Sequence, residues 1–79
     1  MPLFFFNVVV GSSIMIDEDG TELPSVAAAR EEALKDARGM MGDAVRQGQD
    51  ISARTIEICD DAGSILEIVS FGDAIKIHD

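Results

Sequence analysis

The sequence predicts an α+β fold of order ββαββ, with one long helix packed on a four-stranded, mainly antiparallel sheet. Three features predict it. The run LFFFNVVV at residues 3–10 is apolar and β-branched or aromatic at nearly every position, the mark of a strand covered on both faces. Residues 26–47 repeat apolar side chains at helical spacing,. TIEIC alternates like a half-exposed strand, and DDAG separates it from the second aliphatic run ILEIVS, the signature of a hairpin. A chain of 79 residues is one domain, 1–79, at the small end for folding alone,. It contains no internal linker, low-complexity run or tandem repeat.

The elements follow in order. After the first strand, Gly11-Ser12 supplies a tight turn with glycine first, as a II′ turn needs, and residues 13–16 return as the second strand,. The acidic stretch DEDGTELP follows. Ser25 is the expected N-cap, its hydroxyl accepting a backbone N–H of the first turn,. At about 100° per residue, Val26, Ala29, Ala33, Leu34, Ala37, Met40, Met41, Ala44 and Val45 share one broad arc of the helix,. Gly48 is the expected residue after its end,. Gly39 and Gly42 fall on the outer side, where each costs up to about 1 kcal/mol relative to alanine,.

The second hairpin is predicted as strands 54–59 and 65–70. A three-residue loop sets Ile58 opposite Leu66 and Ile56 opposite Ile68, with four aliphatic side chains on one face,. The same register opposes Glu57 and Glu67 on the other,. Phe71 and Ile75 are expected to fold back as a short cover, and Ile77-His78-Asp79 to fray,.

One helix covers one face of a sheet. Phe4, Phe6, Val8 and Val10 point one way from the first strand, and Leu3, Phe5 and Val9 the other,. The second face is therefore expected to be covered by another copy of the chain or by the C-terminal segment. A homodimer is the expectation.

Fifteen acidic against six basic residues give a net charge of −9. That balance repels phosphate and argues against direct nucleic-acid binding, while it suits a basic protein partner. The start MPLFFFNVVVG lacks a basic segment, is interrupted by Asn7 and is too short to span a bilayer,. With one cysteine, Cys59, no internal disulfide is possible,. A cytoplasmic protein free of membrane is expected.

No cofactor, catalytic group or metal site is predicted. If Gly20 takes the sixth position of a calcium loop, Met15 and Val26 fall at the first and twelfth, where oxygen ligands belong,. If Asp17 takes the first, Ala28 falls at the twelfth,. DEDG therefore reads as a solvated turn, with Glu22 favoured near a helix N-terminus. Cys59 and His78 are the one thiol–imidazole pair, but an acidic strand raises a thiol's pKa and His78 is penultimate,. One Cys and one His cannot build a four-ligand zinc site,. GSS leads into a strand, not a helix, so it is no phosphate loop,. Arg30 falls by helical angle inside the apolar arc. Two readings apply: pairing at the core edge, for example with Asp17 or Asp19, or anchoring a partner's carboxylate. Arg30, Asp17, Asp19 and Glu22 are the candidate partner-binding residues.

FFFNVVVG, DEDGTELPSVAAAREEALKDAR and ISARTIEICDDAGSILEIVSF together resemble a large family of short bacterial proteins classed as a domain of unknown function. The likeness lies in the aromatic first strand, the D-x-x-G-x-E-L-P loop, the A-A-R-x-E-A-L helix start and the hairpin before a final S-F, and it covers residues 3–75. It carries over no catalytic residue. It implies structural roles for Asp17, Gly20, Leu23, Pro24, Ala29, Arg30, Ala33 and Gly63. A weaker likeness runs to HicB-type antitoxins, whose unit has three strands before the helix and one after, against two and two here.

The expected function is a non-enzymatic acidic interaction module acting as a homodimer that binds a protein partner. The alternative is a small ligand- or metal-binding domain, or an enzyme, with a site formed across the dimer interface near the acidic loop.

Overall fold

The computed structural model describes residues 1–75; the expectations for Ile77, His78 and Asp79 lie outside the described residues. Its elements are β1 (Leu3–Val10), β2 (Ser13–Met15), β3 (Thr21–Glu22), α1 (Val26–Arg46), β4 (Thr55–Cys59) and β5 (Ile65–Ser70), followed by a 3-10 turn at Phe71–Ala74. The fold is α+β, one helix on an open antiparallel sheet of order β2-β1-β4-β5. The predicted four strands become five, because Thr21–Glu22 returns to pair with Phe4 and Leu3. The predicted second strand ends one residue early, at Met15, the helix ends one residue early, at Arg46, and the predicted third strand begins one residue late, at Thr55.

Local chemistry accounts for most boundaries. Gly11 has φ 58° while Ser12 stays at negative φ, so the first hairpin turns through glycine alone,. The Ser25 hydroxyl accepts the Ala28 N–H at 3.1 Å and opens α1,. Gly48 closes it at φ 77°, with the Gln49 N–H reaching back to the Ala44 carbonyl at 2.8 Å,.

The helix buries a narrower stripe than the periodicity predicts. Ala29, Ala33, Ala37, Met41 and Ala44 are buried, whereas Val26 and Val45 are exposed. Four small side chains in that stripe let the helix lie close on Ile56, Ile58, Val69, Phe4 and Val8,. Phe71 completes this core, fully buried beneath the helix, and its N–H donates to the Arg54 carbonyl at 2.9 Å. It therefore does not cover the far face, and Ile75 is exposed.

Gly39 and Gly42 are exposed, and a Cβ at either meets nothing within 4 Å. Alanine at each position is expected to stabilise the helix by about 0.5–1 kcal/mol. Thermal unfolding of the double variant should rise by roughly 4–16 °C for a domain of this size.

The second hairpin corrects the predicted register. The loop has the expected length: the Asp60 N–H bonds the Ser64 carbonyl at 3.0 Å and Gly63 takes φ 84°. Cys59 then pairs with Ile65, but Ile58 pairs with Glu67, so a bulge sets Leu66 aside,. From there on Ile56 opposes Val69 and Glu57 opposes Ile68. The shift separates Glu57 from Glu67 and keeps Ile56, Ile58 and Val69 together under the helix. It also carries Glu67 to the helix side, where Arg30 meets it.

Candidate interaction surface

The acidic loop is built around Asp17. After Met15 the chain leaves β1 and rejoins it at Thr21, so the ladder along that edge is interrupted beside Phe6. A backbone N–H left there without a partner is costly where water is scarce. The Asp17 Oδ2 accepts the Phe6 N–H at 3.1 Å, and Oδ1 accepts the N–H groups of Asp19 and Gly20 at 3.2 and 3.1 Å. The Asp17 N–H in turn donates to Asn7 Oδ1 at 2.9 Å. The Asn7 amide donates to the Cys59 Sγ at 3.6 Å, which ties loop, β1 and β4 together.

Gly20 is needed for two reasons. It has φ 72°, and a Cβ there would stand 2.9 Å from Phe5 Cε2 and 3.0 Å from Leu3 Cγ,. The loop thus rests against the edge of the face opposite the helix.

The four predicted site residues are not brought together. Asp17 turns inward as the loop's clamp, while Asp19 and Glu22 remain exposed. Arg30 lies on α1, and its Nη1 donates to Glu67 Oε1 on β5 at 2.8 Å. Neither Asp17 nor Asp19 holds it. The pair is about a third exposed at each end, so solvent screens much of its energy. Arg30→Ala is expected to lower stability by only about 0.5–1 kcal/mol, read from the urea midpoint. An unchanged midpoint would mean that the pair contributes nothing to folding.

The face away from the helix was not marked as a site by any motif. Pairing fixes its members: Phe5 beside Cys59, Asn7 beside Glu57, Val9 beside Ile14 and Thr55, and Glu57 beside Ile68. Phe5 and Val9 are half-buried, while Ile14, Leu66 and Ile68 are exposed. No described element lies over the centre of this face. Beside Phe5 the acidic loop and the β4–β5 turn enclose a hollow of about 220 Å³, lined by Asn7, Asp17, Cys59, Asp60 and Asp61. Ligand sites commonly begin at roughly 300 Å³.

The described cations are confined to one side of the molecule, where they mix with the helix's own carboxylates Glu31, Glu32, Asp36 and Asp43. Arg30, Lys35, Arg38 and Arg46 are on α1, and Arg54 lines a groove with Met40 and Ala44 on the helix side. The open face, as far as the described residues go, carries Glu57 at its middle and Asp60, Asp61 and the acidic loop at one end, with no cation.

Cys59 is buried among these groups. Burial pushes its thiol up, and Glu57 and Asp60 push it further, against a smaller opposing effect of the Asn7 amide. It stays protonated at neutral pH and is a poor nucleophile. Among the described residues, no three of His, Cys, Asp or Glu converge to hold a metal ion. No helix among them is long and apolar enough to cross a membrane.

A family model described as Domain of unknown function (DUF6894) matches residues 3–72. That is the uncharacterised family the sequence resembles; the likeness to HicB-type antitoxins gains nothing from the match. No curated protein and no solved structure matches the chain.

Proposed function

We propose that this chain, which belongs to the DUF6894 family of domains of unknown function, is a non-enzymatic acidic interaction module of the cytoplasm. It acts as a homodimer and binds a protein partner of basic character through the open face of its sheet. The observation that carries this reading is the open face itself, which among the described residues bears carboxylates and no cation. Phe5, Val9, Ile14 and Ile68 surround Glu57 at the middle of that face, with further carboxylates at one end and the described cations on the helix side.

A partner with a central lysine or arginine among apolar side chains complements such a surface. Apolar burial supplies affinity, and the opposed charges speed and orient the encounter. Asp19 and Glu22 join this acidic border. Arg30 is set aside from it, because Glu67 already holds it on the helix side.

The test is affinity capture from the native host's extract with wild type and Glu57→Lys. A basic protein should be retained at low salt and released as the Debye length falls from about 10 Å at 0.1 M to about 3 Å at 1 M. Glu57→Lys, which reverses the charge at the middle of the face, should lose it. Recovery of the bait alone at both salts, or equal capture by the variant, counts against the reading.

A further inference from the structure

We infer that the outer edge of β5 is the seam along which two copies pair antiparallel into one continuous sheet, with their helices on the same side. The inference rests on the homodimer of the preceding reading and says where that dimer forms.

The two edges of the sheet are finished differently. On one, β2 is three residues long, the Asp17 carboxylate takes the next free N–H of β1, and the two residues of β3 close the remainder. That edge offers an incoming strand little to pair with. On the other, β5 runs for six residues, Ile65–Ser70, with no backbone partner on its outer side among the described residues. Natural edges of this length are blunted by lysine, proline or an inward charge. The sequence ILEIVS has no lysine or proline, and the charge of Glu67 is already matched by Arg30 at 2.8 Å. Ile65, Leu66 and Ile68 are left 52%, 42% and 57% exposed.

Charge selects the edge over the face as the place for a second copy. Stacking two open faces brings Glu57, Asp60 and Asp61 of one chain toward the same carboxylates of the other, in chains that each carry −9. Along β5 the single charged side chain is Glu67, and each copy brings its own Arg30 to it. The edge is also self-complementary. A two-fold axis perpendicular to the sheet through Ile68 runs the strands antiparallel, sets Ile68 opposite its copy and Glu67 opposite Val69, and so keeps same-face residues opposite one another,. The Ile68 side chains of the two copies then cover each other across the seam. The open faces merge into a single surface of twice the width and remain free for the basic partner.

The experiment measures mass by sedimentation equilibrium and amide exchange over β5, at low and high micromolar full-length chain. Wild type should reach twice its monomer mass, and the amides of β5 that point away from β4 should slow at least tenfold as the dimer forms. Ile65→Lys with Ile68→Lys changes the net charge from −9 to −7 (−9 + 2), which lowers general repulsion between copies. It nevertheless should remain monomeric, with unchanged far-ultraviolet circular dichroism. Glu57→Lys should stay dimeric. A wild-type monomer at high micromolar concentration would overturn the inference. So would a dimer with freely exchanging β5 amides, dimerisation of the double lysine variant, or β5 protection that appears only with host extract. The two readings fail separately: a dimer with freely exchanging β5 amides sinks the seam alone, a monomer that still captures a basic protein sinks the homodimer and its seam but not the partner surface, and a β5 dimer that captures nothing sinks the partner surface alone.

Discussion

Phe71→Ala is expected to bring the domain close to unfolding at room temperature. The ring is fully buried with Ile56, Ile58 and Val69 under α1, and these are the largest fully buried side chains among the described residues. Truncating a buried phenylalanine costs about 3–5 kcal/mol, the lost transfer energy plus the cavity it leaves. A domain of 79 residues has roughly 4–12 kcal/mol in all, at 0.05–0.15 per residue. The variant therefore loses about a quarter of its stability at least, and nearly all of it at the low end of that range. Its urea midpoint should fall correspondingly, with the slope unchanged if the same surface is exposed on unfolding. Phe71→Leu, which refills most of the volume, should lose far less. A loss below about 1 kcal/mol for alanine would mean the ring is not in the core. The site also explains why a short 3-10 turn after the last strand matters. The turn carries Phe71 and Ala74 into the space between helix and sheet, so the core depends on the chain beyond β5.

The position of Phe71 marks where sequence reasoning reached its limit. The first strand and the helix were legible because their signals are local: an unbroken β-branched and aromatic run, and a serine cap followed by helical spacing. The β4–β5 turn was legible for the same reason, in its glycine at positive φ and its loop length. The bulge one residue later was not. It arises because burying Ile56, Ile58 and Val69 while pairing Glu67 with Arg30 outweighs an unbroken ladder, and both gains depend on where the helix lies. Strand β3 escaped notice because two residues in an acidic loop carry no alternation; only their proximity to Leu3 and Phe4 makes them a strand.

The candidate site divides along the same line. Asp17, Asp19, Glu22 and Arg30 are neighbours in sequence or in expectation, and the structure sends one inward, leaves two exposed and pairs the last with β5. The confinement of the cations had a readable trace. Arg30, Lys35, Arg38 and Arg46 are four of the chain's six basic residues, and all fall within the one helix, so the opposite face was bound to be poor in cations.

Asp17→Ala should open the edge that the wild-type chain keeps closed. Its carboxylate accepts three backbone N–H groups, and only that of Phe6 belongs to a strand. Hydrogen bonds to charged acceptors contribute about 1.5–3 kcal/mol each when they are shielded. Asp19 is exposed and can turn to water, so the loss should be about 2 kcal/mol in total, or roughly 8–16 °C in melting temperature. Asp17→Asn separates the contributions. Its remaining oxygen can still accept from Asp19 and Gly20, but its amide then faces the Phe6 N–H donor to donor. The Phe6 amide should therefore exchange rapidly in both variants, and the Gly20 amide in alanine alone. The consequence for assembly is larger than the loss of stability. On the proposed pairing of β5 with a second copy, a loosened β1 edge would give each end of that dimer a fresh row of unpaired donors and acceptors. Two open edges per chain permit growth without closure. Light scattering of Asp17→Ala should climb past the dimer as concentration rises, while wild type levels off. A variant that melts early yet stops at two copies would show that the clamp holds the loop but does not guard the edge.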